Sequence, residues 1–280
     1  MPRIRTRLAA VAVASVIALS LAACATSETP AADDDTDAAY ITPGKLTIAT
    51  GEPAYYPYVI DNAPESGEGF EAAIAYAVAD ELGFSKDDVV WVRTTFEEAI
   101  APGPKTFDIN IQQYSITDER KQNVDFSSPY YQASQAVVTI AGSAADGVTT
   151  IAELKKLQLG AMVGTTSAQT IDEVIQPDAG AVLFNTNEDA KFALESGQID
   201  GLVLDLPTAF YTTGVEIENS VIVGELPSAG IPDEWGFVLA KDSPLTADVT
   251  AAVDALRDSG KLQEIADEWL GANAGVAKLS

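Results

Sequence analysis

KLTIATG at residues 45–51, FEAAIAYAVADELG at 70–83, VVWVR at 89–93, FEEAIA at 96–101 and FDINI at 107–111 decide the fold. The first is a short apolar run that stops at a glycine, which reads as a strand. In the second, Phe70, Ile74, Ala77, Val78 and Leu82 recur at helical spacing and Gly83 ends the run, so the stretch reads as a helix with one apolar face. VVWVR is β-branched and aromatic, a strand. FEEAIA reads as a short helix ended by Pro102-Gly103-Pro104, and FDINI as a further strand. The order β-α-β-α-β predicts a parallel sheet covered by helices.

A second series follows the apolar run Ala136–Ala141. Thr150-Ile151-Ala152-Glu153 has the spacing of a capping box that opens a helix. Strands are expected at Leu159–Val163, Val182–Phe184 and Ile199–Leu204, with helices at Ala168–Ile175, Glu188–Ser196 and Thr208–Thr212, the last opened by Pro207. Gly236–Ala240 reads as a strand, and Ala247–Ser259 and Leu262–Trp269 as two closing helices. The fold class is therefore α/β, two sheet-and-helix units in succession. Open α/β sheets bind ligands beyond the carboxyl ends of their strands, and two such lobes facing each other form a cleft.

The 280 residues are 47% hydrophobic, enough for two cores, and carry 16 basic against 42 acidic residues, a net charge of −26. So acidic a surface repels nucleic acid and anionic lipid headgroups. The chain has no histidine and one cysteine. That excludes an internal disulfide and any Ser-His or Cys-His mechanism, and removes the commonest general base and metal ligand. No cofactor and no metal are expected. Arg3, Arg5 and Arg7 precede an apolar stretch from Leu8 to Leu21, which ends at Leu21-Ala22-Ala23-Cys24. A basic start, a short apolar core and small residues at its end read as a secretory signal over residues 1–23, and the run is too short for a transmembrane helix. Residues 24–43, with Asp33, Asp34, Asp35 and Asp37 and few large apolar side chains, read as a disordered acidic tether.

Two groups of motifs carry a family resemblance. Leu21-Ala22-Ala23-Cys24 resembles the lipobox of bacterial lipoproteins, which implies a diacylglycerol on Cys24 and an extracytoplasmic anchor. Ser115-Ile116-Thr117-Asp118-Glu119-Arg120, followed by Val124-Asp125-Phe126-Ser127-Ser128-Pro129-Tyr130-Tyr131, resembles the signature of the polar amino-acid solute-binding proteins of ABC importers. Gly69-Phe70-Glu71, Gly164-Thr165-Thr166, the strand ending at Asp205, and Glu268-Trp269-Leu270-Gly271 match further family motifs in the same order, over about residues 44–271. The resemblance implies a two-lobed, type II periplasmic-binding-protein-like fold with a two-strand hinge near Val137–Thr139 and Phe237–Leu239. Lobe 1 would be 44–137 with 241–280, and lobe 2 would be 138–240. The implied function is capture of a free amino acid by a monomer that hands it to the importer's membrane subunits. A dehydratase like periplasmic cyclohexadienyl dehydratase, or a ligand sensor, is the alternative on this fold.

A free amino acid presents a carboxylate, an ammonium and a side chain. Arg120, in its hexapeptide alone, is either a solvated neighbour of Asp118, Glu119 and Lys121 or a carboxylate fork; the family's binding arginine falls on it. Ser115 falls on the family's ligand-contacting hydroxyl. Gln113 stands where the family uses a small residue, so Gln112 and Gln113 depart from the pattern, and their side chains either enter the cleft or face solvent. Thr165 and Thr166 sit where a turn meets a helix N-terminus, which favours an anion, while N-capping by Thr166 or Ser167 is the plain alternative. Asp205, read by position, is an N-cap before Pro207; the resemblance makes it the partner of the ligand's ammonium. Glu52, Tyr55 and Phe96 would address the side chain, with an acid at 52 favouring a basic or amide ligand over an acidic one.

Overall fold

The computed structural model describes residues 39–228, 233–271 and 275–280. The expected signal, Cys24 and the tether as far as residue 38 lie outside the described residues. Strand β1 (Leu46–Gly51), helix α1 (Phe70–Glu81), β2 (Val89–Thr94), α2 (Phe96–Ile100) and β3 (Ile109–Asn110) follow in the expected order. β4 (Val124–Phe126) completes the first pass through this sheet. β1 pairs in parallel with both β2 and β3. Phe70, Ile74 and Val78 of α1 are fully buried beside Leu46, Ile48 and Ile109 of the sheet, each contributing about 1.5–3 kcal/mol. The helix can start where it does because Gly69 has φ +108°, and a Cβ there would lie 2.5 Å from the Tyr58 carbonyl oxygen.

The chain then leaves through β5 (Tyr131–Ala133) and enters the second sheet with β6 (Gln135–Ile140). α3 (Ile151–Leu154) opens on the expected capping box, with both Thr150 and Glu153 side chains engaged. β7 (Leu159–Met162), α4 (Thr166–Thr170), β8 (Val182–Phe184), α5 (Asn187–Glu195), β9 (Gly201–Asp205), α6 (Leu206–Tyr211) and β10 (Ser220–Glu225) follow. α4 and α6 each run on into a π-helical turn, at Ile171–Ile175 and Thr212–Glu216. The sheet order is β10-β6-β9-β7-β8. Alternation along its strands feeds two cores: Val137, Leu159 and Val203 pack on Leu154 and Ile171 on one face, while Val138, Leu202 and Leu204 pack on Ala190, Leu194 and Ala209 on the other.

β11 (Asp233–Trp235) pairs antiparallel with β5, and β12 (Val238–Ala240) returns to the first sheet between β3 and β4. α7 (Thr246–Asp258) and α8 (Lys261–Trp269) close over α1. The chain thus crosses between the two sheets twice, through the β5–β11 ribbon. Val137–Thr139 lies within the second sheet, and Val238 and Leu239 within the first, so the ribbon stands a few residues before each expected hinge point. The last residues also part from the expectation that 241–280 stay with the first sheet. Lys278 bridges to Glu225, Leu279 donates its N–H to the Glu225 carbonyl, and the Leu279 side chain is buried in the second lobe's core. Gly224 makes room for this tail: a Cβ there would lie 2.6 Å from Leu279 Cγ and 2.9 Å from the Ala277 carbonyl oxygen. Among the described residues, no helix is long and apolar enough to cross a membrane.

Candidate ligand cleft

The carboxyl ends of the strands face one another across a cavity of about 210 Å³, below the ~300–1,000 Å³ of pockets for drug-sized molecules. β1 delivers Glu52 and Tyr55, β2 leads into Phe96, and β3 into Gln112, Gln113 and Ser115; β7 leads into Thr165 and Thr166, and β9 ends on Asp205. With Arg120 from the turn before β4, all nine residues expected to bind line this one cavity.

Arg120 is 8% exposed. Its Nη1 donates to the Ser115 carbonyl at 2.8 Å and its Nη2 to the Gly164 carbonyl at 2.9 Å, and the guanidinium lies 5.3 Å from the centre of the Phe96 ring. Both acceptors are uncharged, so a buried cation with five N–H donors has no carboxylate paired with it among the described residues. Burial pulls its pKa down, and the charges of Asp233 and Asp205 push the other way. Opposite stands Asp205. Its Oδ1 accepts from Gln135 Nε2 at 2.5 Å, and it makes no side-chain cap on α6. Burial first, and then the neighbouring Asp233 carboxylate, hold the Asp205 carboxyl well above the usual range.

At the turn before α4, Thr165, not Thr166 or Ser167, caps the helix: its Oγ1 accepts from the Ala168 N–H at 3.2 Å. That leaves the Thr166 hydroxyl 3.2 Å from Ser115 Oγ across the cleft. Gln113 lines the cavity, but its side chain does not enter it. The backbone N–H and the side-chain amide of Gln113 both donate to Glu71, which also accepts from Tyr130 Oη at 2.5 Å. This clamp holds Gln113 at φ +50°, an uncommon conformation for a residue with a Cβ. Glu71 is 1% exposed, and burial pushes its carboxyl up to about 7 against three hydrogen bonds that favour the ionised form.

Glu52 is more than half exposed and lies 3.6 Å from Arg93 and 3.3 Å from Asn62 Nδ2, so a neighbouring cation already offsets its charge. Tyr55 reaches across the mouth to Glu188 Oε2 at 2.5 Å, with Lys191 Nζ 5.5 Å from its ring centre. Two more aromatics from the same loop cross over: Tyr58 Oη is 2.8 Å from Thr208 Oγ1, and the rings of Tyr56 and Tyr211 stand 4.3 Å apart. The two lobes are therefore closed on each other, held by hydroxyls and rings as well as by Arg120. The sequence reading missed Gln135, Asp233, Tyr58, Thr208 and Glu188. A glutamine at the head of the apolar run QAVVTI, residues 135–140, was the one visible signal among them. Among the described residues no cluster suited to a metal ion exists.

The L-arginine-binding protein of Pseudomonas aeruginosa is 29% identical over 225 residues, which are 78% of this chain and 85% of that protein. The ABC transporter glutamine-binding protein GlnH of Bacillus subtilis is 30% identical over 212 residues, 74% of this chain and 75% of its own. Among solved structures, the ancestral amino acid-binding protein AncCDT-1, described as a precursor of cyclohexadienyl dehydratase, superposes with a TM-score of 0.67 at 30% identity, covering 81% of this chain and 95% of that one. Residues 46–272 match the sequence model of the bacterial extracellular solute-binding proteins, family 3. With that match spanning both lobes and the cleft between them, the chain belongs to this family.

Proposed function

We propose that this protein captures a free L-amino acid between its lobes and delivers it to an ABC importer from the extracytoplasmic face of the membrane, anchored by lipid on Cys24. The observation that carries the reading is a buried guanidinium on one lobe and a half-buried carboxylate on the other, both facing one small cavity. A zwitterion has the two charges that this pair lacks. Its carboxylate would take the N–H donors that Arg120 does not spend on Ser115 and Gly164, as a bidentate charge-assisted pair. Its ammonium would pair with Asp205, whose ionised form a cation favours. Ser115 and Thr166 offer hydroxyls between the two.

Tyr55 and Phe96 would wall the ligand side chain and Glu52 would face its far end. The nearby Arg93 offsets Glu52, so the acid discriminates against an acidic side chain more weakly than a lone carboxylate would. A basic or amide side chain fits best, in keeping with relatives named for arginine and glutamine. The protein acts as a binder and not as a catalyst, in keeping with relatives that are named as binding proteins.

The test is a thermal-shift screen of the full chain against the twenty common L-amino acids. A ligand at 100 times its Kd adds about 2.7 kcal/mol, on the order of 5–10 °C for a chain this long. A basic or amide amino acid should give such a shift, Arg120→Ala should abolish it, and the amino acid should be recovered unchanged. No shift with any of the twenty, or turnover of prephenate or arogenate, refutes the reading.

A further inference from the structure

Three polar side chains outside the expected set stand on the Asp205 side of the cavity: Ser167 in its lining, with Gln135 and Asp233 behind. The antiparallel register of β6 on β9 sets Gln135 directly opposite Asp205, and the β5–β11 ribbon sets Asp233 opposite Ala133, two residues before Gln135. Gln135 Nε2 donates to Asp205 Oδ1 at 2.5 Å and to Asp233 Oδ2 at 2.6 Å. An amide nitrogen facing two carboxylates fixes the orientation of the amide, so Oε1 is the end that accepts from the Ser167 hydroxyl at 2.6 Å. The same Asp233 oxygen lies 3.1 Å from Thr166 Oγ1. A carboxylate only accepts, so Thr166 spends its single proton there. What Thr166 turns toward Ser115 and the cavity is an oxygen with lone pairs. Asp233 itself is not part of the cavity lining, and its Oδ1 is buried without a hydrogen-bond partner among the described residues.

We infer that Asp233 is a positioning residue for the ligand's α-ammonium. By drawing in the Thr166 proton and one Gln135 proton, it leaves the Thr166 oxygen and the Asp205 carboxylate as acceptors in the lining of the same cavity, and it adds a negative charge one layer behind them. In the empty cleft the two acids repel each other, and an ammonium arriving in front of them relieves that repulsion. The pair therefore selects a cation at this end of the cavity, opposite Arg120. The inference rests on the amino-acid reading above and names a residue that acts on the ammonium without touching it.

The test is calorimetric titration of the full chain, wild type and Asp233→Asn, with L-arginine, L-glutamine and L-glutamate. Each is paired with the analogue lacking only the α-ammonium: 5-guanidinopentanoate, glutaramate and glutarate. Asp233→Asn keeps the shape and one acceptor but removes the charge. It should weaken the bound amino acid about tenfold, the order expected for one screened charge a few ångströms away, and leave the analogue within twofold. A cycle with Thr166→Val should be non-additive by at least about threefold, because both changes break one relay. Equal losses for amino acid and analogue, or full additivity in the cycle, overturn the inference while leaving the amino-acid reading standing. Wild-type protein that binds no amino acid overturns both.

Discussion

Replacing Glu71 with Gln should change how stability depends on pH, not only how large it is. Glu71 sits fully buried at the start of α1 and clamps Gln113 at the lip of the cleft. Its carboxyl titrates near 7 in the fold against an ordinary value of 4.5. Below pH 4.5 the carboxyl is protonated in both the folded and the unfolded chain, and it costs the fold nothing. Between 4.5 and 7 the unfolded chain has released the proton and the folded chain still holds it, so stability falls as pH rises. Above 7 both are ionised and the loss is complete. A shift of about 2.5 units at 1.36 kcal/mol each is about 3 kcal/mol. Glu71→Gln cannot titrate; it carries a pH-independent cost of about 1 kcal/mol, from one donor-to-donor contact with the Gln113 amide. Urea denaturation of both proteins from pH 4.5 to 8 reads the difference. The wild type should lose about 3 kcal/mol relative to the variant across that window, on the order of 1 M in midpoint, with nearly all of the change complete by pH 8. Two curves that run parallel would refute the reasoning, since the burial of Glu71 would then have no titration behind it.

Tyr58→Phe deletes the hydroxyl that meets Thr208 across the cleft; losing about 1 kcal/mol from the closed form alone should raise the amino-acid Kd about fivefold by calorimetry, with little change in affinity per contact in the open form. Glu52→Gln should weaken L-arginine by less than about fivefold and leave L-glutamine unchanged, because Glu52 is exposed and already faces Arg93; a hundredfold loss would show that Glu52 grips the ligand directly. Gly224→Ala forces a Cβ against Leu279 and the Ala277 backbone, so it should cost about 1–3 kcal/mol by urea denaturation, and a neutral result would mean that the tail does not hold that place.

The fold was legible where periodicity is strong. The α1 stripe declares itself through apolar side chains at helical spacing, β1 through a continuous apolar run buried along its whole length and β2 through its β-branched and aromatic residues, and the cleft follows from the carboxyl ends of those strands. The π-helical turns after α4 and α6 were not legible, because widening a helix by one residue leaves no mark in composition. Arg120 and Asp205 each have an ordinary local reading, as a solvated cation and an N-cap; only their place in an ordered series of motifs set them in the cleft. The sequence left the Gln113 side chain either in the cleft or facing solvent, because its partner, Glu71, is 42 residues away in sequence and looks like a plain first-turn acid. Gln135 and Asp233 escaped for the same reason. Their meeting depends on the register of two strand pairs, which no single stretch of sequence encodes.

A crystal structure of the full chain with its preferred L-amino acid tests the central claim most directly. The ligand carboxylate should lie within hydrogen-bond distance of both Arg120 Nη atoms, and its ammonium within hydrogen-bond distance of an Asp205 carboxylate oxygen and Thr166 Oγ1. A ligand bound with those two charges reversed, or seated outside the cavity while Arg120 and Asp205 keep only their protein contacts, would contradict it.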